Sequence, residues 1–256
     1  ELAEIANIPI GWTLLGSGSV PSSHPLNMGM MGMHGEFSVN NAIQEADLLI
    51  ACGMRFDDRV TGNASTYSPN SKKIHIEVDP SEINKNIKVD LSIVADLKTT
   101  LNQLNPLLSK KSNIDWIESL LEWQKQSSQR DIININTNTL FAAQAVHDIW
   151  VETKGEAIIV SDVGQHQMLE AQYYKHDEPN TLLTSGGLGT MGFSLPAAIG
   201  ASFCRKDKDI WVIVGDGSIQ MTITELATAV QENANINIAI INNGYLGMVR
   251  QWQQLF

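Results

Sequence analysis

Cysteine and long apolar segments are both scarce in this sequence. Its 256 residues include only two cysteines, Cys52 and Cys204, which are far apart and have neither metal-ligand nor redox spacing. This scarcity excludes a disulfide framework and predicts two reduced, buried thiols in a reducing compartment like the bacterial cytoplasm. No apolar run approaches the roughly 20 residues of a membrane-spanning helix, and no signal-peptide pattern is present. The sequence therefore predicts no membrane partner.

Positive charge is also in short supply. The 17 Lys and Arg residues face 28 Asp and Glu residues, which gives a formal net charge of −11. No basic cluster offsets this charge, so nucleic acid and anionic membranes are excluded as partners. The hydrophobic share of 43% is typical of a globular protein. The chain opens with Glu1 and closes on Leu255-Phe256 without a terminating signal, which suggests a piece of a longer polypeptide.

Strand-like and helix-like segments alternate along the chain, which is typical of parallel α/β sheets. The predicted strands are residues 9–15, 47–51, 73–78, 92–95, 157–160, 181–184, 211–214 and 236–241. The predicted helices are residues 40–46, 97–108, 116–129, 140–151 with Thr139 as N-cap, 195–201 and a segment with apolar positions between 223 and 230. We expect two parallel-sheet, three-layer domains at residues 1–108 and 137–256, joined by a linker at 109–136 in which Trp116 and Trp123 serve packing.

The strongest chemical signal lies between Trp211 and Trp252. One apolar run ends in Gly215-Asp216-Gly217-Ser218, and the next ends in Asn242-Asn243-Gly244. Ligands of open parallel sheets bind at the carboxyl ends of the strands. An acidic side chain and an amide there offer oxygen ligands to a divalent cation, and glycine beside backbone amides admits a phosphate. The segment therefore predicts a Mg²⁺–diphosphate anchor, to which the polar turn Gly164-Gln165-His166 adds a third strand end.

The first half of the chain leaves several readings open. Arg55, Asp57 and Arg59 fit either a nucleotide site or a structural ion-pair cluster. Asp79 fits either a ribose hydroxyl or a solvated turn, and the glycine-rich fingerprint of a dinucleotide fold is missing. His34 fits a hydrogen-bonded loop histidine as well as a ligand.

Several longer motifs resemble one enzyme family. They are GMMGMHGE (29–36), RFDDRVTGN (55–63), GQHQM (164–168), TSGGLGTMGFSLPAAIGA (184–201) and NNGYLGMVRQWQ (242–253), together with the GDG…NN spacing. Together they resemble the catalytic subunit of acetohydroxyacid synthases, also called acetolactate synthases, which depend on thiamine diphosphate. The resemblance covers essentially the whole chain and implies part of a central FAD-binding domain, a linker and part of a diphosphate-binding domain.

For the second half, the resemblance implies a thiamine diphosphate site. It implies Mg²⁺ ligands at the side chains of Asp216 and Asn243 and at the main-chain oxygen of Tyr245. Further cofactor contacts are implied at Gly164, Gln165, His166, Gly189, Met191, Gly215, Gly217, Ser218, Met221, Gly247 and Met248. Met191 and Met248 would bracket the aminopyrimidine, while Met221, otherwise an ordinary core methionine, would support the bent cofactor. Met248 and Trp252 would shape the substrate pocket.

For the first half, the resemblance implies an FAD site. The residues are Met33, His34, Gly53, Arg55, Asp57, Arg59, Val60, Glu77 and Asp96, and Asp58 and Arg59 would also line the substrate entrance. The chain departs from the family pattern in two places. It has Ala95-Asp96 where Gly-Asp is usual, and Gly16-Ser17-Gly18 where Gly-Leu-Gly is commoner.

The implied activity is decarboxylation of pyruvate and condensation of the two-carbon unit with pyruvate or 2-oxobutyrate, the first common step of branched-chain amino-acid biosynthesis. The resemblance also implies a homodimer or tetramer and a regulatory small subunit. It places the glutamate that starts the reaction in an N-terminal domain outside these residues, so we expect this chain alone to be inactive. The alternatives are another thiamine diphosphate enzyme, of the pyruvate oxidase or glyoxylate carboligase type, and a non-catalytic cofactor-binding fragment or scaffold.

Overall fold

The computed structural model describes residues 1–135 and 138–255. The chain divides into two compact units, the first formed by residues 1–13 and 24–130 and the second by residues 14–23 and those from 131 onward. The predicted boundaries at 1–108, 109–136 and 137–256 stay a prediction for the functional domains. Asn136 and Thr137, at the end of the predicted linker, lie outside the described residues.

The first unit contains two parallel sheets. Its helices are α1 (Leu2–Ala6), α2 (Phe37–Glu45), α3 (Asp58–Thr61), α4 (Leu97–Leu104) and α5 (Ile114–Ser128). Its strands are β1 (Ile10–Trp12), β2 (Asn27–Met30), β3 (Leu48–Cys52), β4 (Lys72–Glu77) and β5 (Leu91–Val94). β1 pairs with β2, and β3, β4 and β5 pair in that order, all of them parallel. Short 3₁₀ turns at Ala64–Thr66, Pro80–Glu82 and Asn105–Leu107 complete the described elements.

The core of the first unit is aliphatic and aromatic. Its buried members are Met28, Met31, Val39, Ile43, Ala51, Met54, Phe56, Tyr67, Ile87 and Leu120. Leu120 belongs to α5, so this helix is part of the first unit's core and not a free-standing connector. Trp116 and Trp123 of α5 pack edge to face with ring centroids 5.9 Å apart and lie against the core, which confirms that they are packing residues.

The second unit is a parallel sheet with helices on both faces. Its strands are β6 (Ile158–Ser161), β7 (Leu182–Thr184), β8 (Ile210–Gly215) and β9 (Asn237–Ile241). Its helices are α6 (Ala142–Glu152), α7 (Gln165–Tyr173), α8 (Ser194–Cys204), α9 (Asp216–Gln220), α10 (Leu226–Gln231) and α11 (Gly247–Leu255). Alternate residues of β6 and β8 enter different cores because successive strand side chains point to opposite faces. Ile158 and Val160 pack in the core that contains Ala198 of α8, and Ile159 packs in the core that contains Val146 of α6.

The strand order explains where a ligand site belongs. The order in the sheet is β7-β6-β8-β9. The chain therefore runs from β6 to one neighbour, β7, and then crosses to β8 on the other side. Open parallel sheets bind ligands outside the carboxyl ends of their strands, at such a reversal of strand order. The segments after β6 and β8 flank this point.

The structure corrects several expectations. Both Cys52 and Cys204 are unbridged, but both are exposed and not buried. Helix α6 begins at Ala142 with Phe141 as its N-cap, so the predicted cap at Thr139 is wrong. The segment predicted as one helix between 223 and 230 is a 3₁₀ turn at Ile223–Glu225 followed by α10. Among the described residues no helix is long and apolar enough to cross a bilayer.

Replacing Leu120 by Ala should lower the free energy of unfolding by about 2–5 kcal/mol, because it removes a fully buried side chain and leaves a cavity. Leu120 is 1% exposed, whereas its neighbour Leu121 on the same helix is 49% exposed. Leu121→Ala is therefore the matched control and should cost less than about 1 kcal/mol. Urea unfolding followed by tryptophan fluorescence compares the two. Equal midpoints would contradict the placement of α5 in the core.

Candidate functional site

Three loops meet at the carboxyl edge of the second unit's sheet. The register pairs Ser161 of β6 with Ile213 of β8, and Gly215 of β8 with Ile241 of β9. The loops that leave these strands start side by side at one edge because the strands are parallel and paired in register. They contain the three polar turns identified in the sequence.

Gln165 and Asn243 link two of these loops. The Asn243 Nδ2 group donates to Gln165 Oε1 at 3.4 Å, and the Tyr245 N–H donates to Asn243 Oδ1 at 3.0 Å. A Cβ on Gly247 would lie 2.6 Å from Gln165 Oε1 and 2.7 Å from Asn243 Nδ2. A side chain at residue 247 would therefore displace the Gln165 and Asn243 amides from this contact.

The segment after β8 is the third loop at this edge of the sheet. Gly217 lies against Leu246, whose Cδ2 would be 3.1 Å from an added Cβ. The Ser218 hydroxyl donates to the Val163 carbonyl at 3.3 Å and so ties this segment to the loop after β6. Asp216 begins α9 and is partly buried. The structure thus brings Asp216, Gly217 and Ser218 into the same edge of the sheet as the loops containing Gln165 and Asn243.

His166 lies beneath this edge as a neutral imidazole. It is 6% exposed, and its Nε2 has no hydrogen-bond partner among the described residues. Burial lowers the pKa of His166 to about 4, although the nearby Asp162 and Asp216 oppose that shift. A Cβ on Gly215 or Gly164 would lie 3.0 Å or 2.7 Å from its ring. A buried, unpaired nitrogen at a ligand edge is available for a hydrogen bond to a bound group.

Helix α11 presents the residues that the resemblance assigns to the substrate side. Met248 is partly buried, while Trp252 is 45% exposed and Tyr245, in the turn before the helix, is 56% exposed. The Arg250 guanidinium stacks over the Tyr245 ring at 3.9 Å, a contact that the sequence did not indicate. Met221 is 59% exposed, so the alternative reading of this residue as a core methionine is wrong.

The donor set suits a hard divalent cation such as Mg²⁺. Among residues 1–135 and 138–255 no group of three or more His, Cys, Asp or Glu residues forms a metal cluster. The carboxylate of Asp216, the amide oxygen of Asn243 and the carbonyl of Tyr245 are hard oxygen donors, which Mg²⁺ prefers together with ligand phosphates and water. These donors, the unpaired His166 nitrogen and the glycine-lined approach fit a magnesium diphosphate group.

In the first unit, the loop after β3 gathers several of the residues assigned to FAD. The Met33 N–H donates to the Arg59 carbonyl at 2.7 Å, and Gly32 packs against the backbone of Arg59 and Val60. Arg55 pairs with Asp57 at 3.1 Å, and Asp57 caps α3. The ion-pair interpretation is therefore confirmed for Arg55 and Asp57, while Arg59 contacts Asp57 only through its backbone N–H. The nucleotide reading stays a prediction.

His34, Gly53 and the carboxylates at the strand ends complete the first unit's site residues. Burial lowers the pKa of His34, with a smaller contribution from Arg59 in the same direction. Gly53 follows β3 at φ +62° with open space beside its Cα.

The carboxylates at the strand ends bind nearby backbone groups. Glu77 accepts from the Val78 N–H at 2.8 Å, and Asp96 caps α4 through the Thr99 N–H at 2.8 Å. Asp79 is exposed and caps the turn at Pro80–Glu82, so its turn reading is confirmed.

Comparison with known proteins identifies the class. Residues 1–104 match the family described as thiamine pyrophosphate enzyme, central domain, and residues 162–256 match its C-terminal TPP-binding domain. Thiamine pyrophosphate is another name for thiamine diphosphate. The chain therefore belongs to the thiamine pyrophosphate enzymes, and the α/β fold of parallel sheets agrees with that class.

Whole-chain similarity narrows the class further. The chain is 41% identical over 260 residues to the acetolactate synthase isozyme 3 large subunit of Escherichia coli, with 100% of the chain and 45% of that protein covered. It is 44% identical to the acetolactate synthase of Mycobacterium leprae and 45% identical to the large subunit of Corynebacterium glutamicum, of which it covers 42% and 41%. The chain is thus a homologue of acetolactate synthase large subunits and spans less than half their length.

Some residues with a structural part in the site were not assigned from the sequence. Leu246 borders Gly217, Arg250 stacks on Tyr245, and Asp162 and Thr222 bind the loop that contains Met191. Only Asp162 had a sequence signal, because it directly follows a buried strand. The other contacts depend on tertiary packing.

The buried His166 should make stability depend on pH. The unfolded chain protonates this histidine near 6.5, whereas the folded chain does so only near 4, so the unfolded state binds more protons between these values. The free energy of unfolding should fall as the pH is lowered through this window, by about 1.4 kcal/mol per unit. His166→Asn should remove this part of the slope. Urea unfolding of both proteins at several pH values, with an NMR titration of the His166 ring, measures it. Identical slopes would contradict the buried neutral state.

Proposed function

We propose that the complete polypeptide carrying these residues is an acetolactate synthase catalytic subunit that binds thiamine diphosphate through Mg²⁺ at the carboxyl edge of the sheet β7-β6-β8-β9. One observation supports the site most directly. Gln165 and Asn243, 78 residues apart, meet at hydrogen-bond distance beside Gly247, where a side chain would push the two amides apart. This geometry leaves a polar cradle of amides and backbone groups at the reversal of strand order, where a diphosphate is held in such sheets.

The proposed roles follow from the chemistry of each group. Asp216, Asn243 and the Tyr245 carbonyl hold Mg²⁺, which neutralises the diphosphate. The neutral His166 and the amide of Gln165 bind phosphate oxygens, and Ser218 keeps the two neighbouring loops together. Bound thiamine diphosphate supplies the electron sink that makes decarboxylation of a 2-oxo acid possible. The remaining cofactor-site residues have one of two proposed roles: they leave room for the cofactor or they contact its ring. They are Gly164, Gly189, Met191, Gly215, Gly217, Met221, Gly247 and Met248.

The substrates and partners are proposed from the resemblance to acetolactate synthases. Pyruvate is the donor, and pyruvate or 2-oxobutyrate is the acceptor, in a pocket shaped by Met248 and Trp252. The first unit binds FAD through Met33, His34, Gly53, Arg55, Asp57, Arg59, Val60, Glu77 and Asp96. Relatives are named large subunits, which supports a regulatory small subunit as a partner. A homodimer or tetramer in the bacterial cytoplasm is the proposed assembly.

Asn243→Ala should weaken Mg²⁺-dependent binding of thiamine diphosphate by at least about tenfold, because it removes a metal ligand and the amide that contacts Gln165. Asn235→Ala is the matched control, since Asn235 is an exposed residue in the loop before β9. Calorimetric titration of the complete protein with the cofactor, with and without Mg²⁺, gives both affinities. Equal affinities for the two variants would contradict the metal assignment.

Product analysis distinguishes the proposed enzyme from related thiamine diphosphate enzymes. The complete protein should convert pyruvate to 2-acetolactate, and Trp252→Ala should change the ratio of products when pyruvate and 2-oxobutyrate compete. Acetyl phosphate formation from pyruvate, or condensation of glyoxylate, would instead identify a pyruvate oxidase or a glyoxylate carboligase. A matched exposed control is Gln253→Ala, which should leave the product ratio unchanged.

The 256 residues alone should form no detectable acetolactate from pyruvate, because the resemblance places the glutamate that starts the reaction outside them. The assay compares the isolated chain with the complete polypeptide at equal concentrations of cofactors. Any measurable acetolactate formation by the isolated chain would overturn this expectation. It would also show that a residue within this chain performs that proton transfer.

A further inference from the structure

Asp162 is a fully buried carboxylate that holds three backbone donors. It directly follows β6 and is 0% exposed. Its Oδ1 accepts from the N–H groups of Val163 at 2.8 Å and Gly192 at 2.9 Å, and its Oδ2 accepts from the Ser194 N–H at 2.8 Å. Ser194 is the first residue of α8, where a negative charge is favoured by the helix dipole. A buried charge with this many donors fixes the position of the groups that bind it.

Gly192 is held from the opposite side by Thr222. The Thr222 hydroxyl donates to the Gly192 carbonyl at 3.0 Å. A Cβ on Gly192 would lie 3.0 Å from the Met221 Cβ and 3.2 Å from the Thr222 Cγ2, and its φ of +85° favours glycine. The Gly192 peptide unit is therefore fastened between the loop after β6 and the turn after α9. We call Asp162, Gly192 and Thr222 the aspartate–threonine clamp.

The clamp joins the two segments that present the cofactor-ring methionines. Met191 directly precedes Gly192, and Met221 directly precedes Thr222. The two methionines therefore lie on segments that the clamp fastens together, whereas Gln165 and Asn243 depend on a different set of contacts. We propose that the aspartate–threonine clamp is a positioning device that sets the spacing of Met191 and Met221, and so acts on the fit of the thiamine ring more than on the diphosphate contacts. This inference rests on the proposed thiamine diphosphate site.

The chemistry of the clamp favours an aspartate at residue 162. Both carboxylate oxygens accept hydrogen bonds, whereas Asn would offer one oxygen and turn its NH₂ group toward a backbone donor. In Asp162→Asn, either the Ser194 N–H or both the Val163 and Gly192 N–H groups lose their acceptor, depending on which oxygen the NH₂ group replaces, and this costs the desolvation of those groups. Thr222→Val keeps the shape of the side chain and removes only the donor to the Gly192 carbonyl.

The test separates binding of the ring from binding of the diphosphate. The complete protein and its variants are titrated calorimetrically, in the presence of Mg²⁺, first with thiamine diphosphate and then with inorganic pyrophosphate. Asp162→Asn should weaken binding of thiamine diphosphate by about tenfold or more, and Thr222→Val by about threefold to tenfold. Thr222→Val should leave the affinity for pyrophosphate within about twofold, whereas Asp162→Asn, whose carboxylate also acts on His166, should weaken pyrophosphate binding less than thiamine diphosphate binding. Both should raise the half-saturating cofactor concentration for activity without a matching fall in the saturated rate.

Two matched controls are available in exposed positions of the same unit. Asp207→Asn breaks an exposed ion pair with Arg205, and Thr228→Val removes an exposed hydrogen bond to Glu225. Both should bind the two ligands as the unmodified protein does.

The possible negative results distinguish an error in the proposed function from an error in the clamp inference. If the unmodified protein binds pyrophosphate but has no higher affinity for thiamine diphosphate, the proposed function fails and the clamp inference with it. If the unmodified protein prefers thiamine diphosphate and Thr222→Val loses affinity for both ligands equally, the clamp has only a general structural role and the inference alone is overturned. Should Asp162→Asn fail to fold, Thr222→Val decides, because its replacement retains the volume of the side chain.

Discussion

The in-register parallel pairing of β6, β8 and β9 is the constraint on which the rest of the site depends. Parallel pairing brings three strand ends, far apart in sequence, to one edge of the sheet. The buried aliphatic residues of β6 and β8 fix this register, because a slip by one residue would turn each of their side chains to the opposite face. Core packing thus determines where Gln165, Asp216 and Asn243 meet, although none of these three side chains is buried in it.

The side chains at this edge of the sheet supply no positive charge, so the proposed diphosphate site requires a metal ion. The side chains gathered at the edge are neutral amides, a carboxylate and a histidine whose pKa of about 4 keeps it neutral at pH 7. Such a set has hydrogen-bond donors for a diphosphate but supplies no charge to balance it. In the proposed site, a divalent cation held by Asp216 would supply that balance. The proposed cofactor site therefore needs no basic patch in a chain with net charge −11.

The sequence predicted the parts of the fold that have a local signal. The predicted strands match β3, β4, β6, β8 and β9 to within one or two residues. The central strands β6 and β8 are almost entirely buried and so are continuously hydrophobic, whereas β4 alternates polar and apolar residues. Helices α7 and α11 were not predicted, since most of their residues were interpreted only as motifs and given no secondary structure. The placement of residues 14–23 in the second unit was also missed. That placement depends on bonds such as Ser22 Oγ to the His176 carbonyl at 2.8 Å, between residues that are 154 positions apart.

In the candidate site, too, some residues can be recognised from the local sequence, whereas others are recognised only from their tertiary contacts. The residue types and spacing of Gly215-Asp216-Gly217 and Asn242-Asn243 indicate their chemistry without coordinates, since each follows a recognisable strand. Asp162 follows a recognisable strand as well, yet its sequence context is equally that of a solvated turn. Its partners Gly192 and Ser194 are 30 and 32 positions away, and only the fold shows that its carboxylate is buried among backbone donors. A buried charge whose partners are main-chain groups constrains the path of a loop and not the identity of its side chains, so the sequence of the loop carries little trace of it.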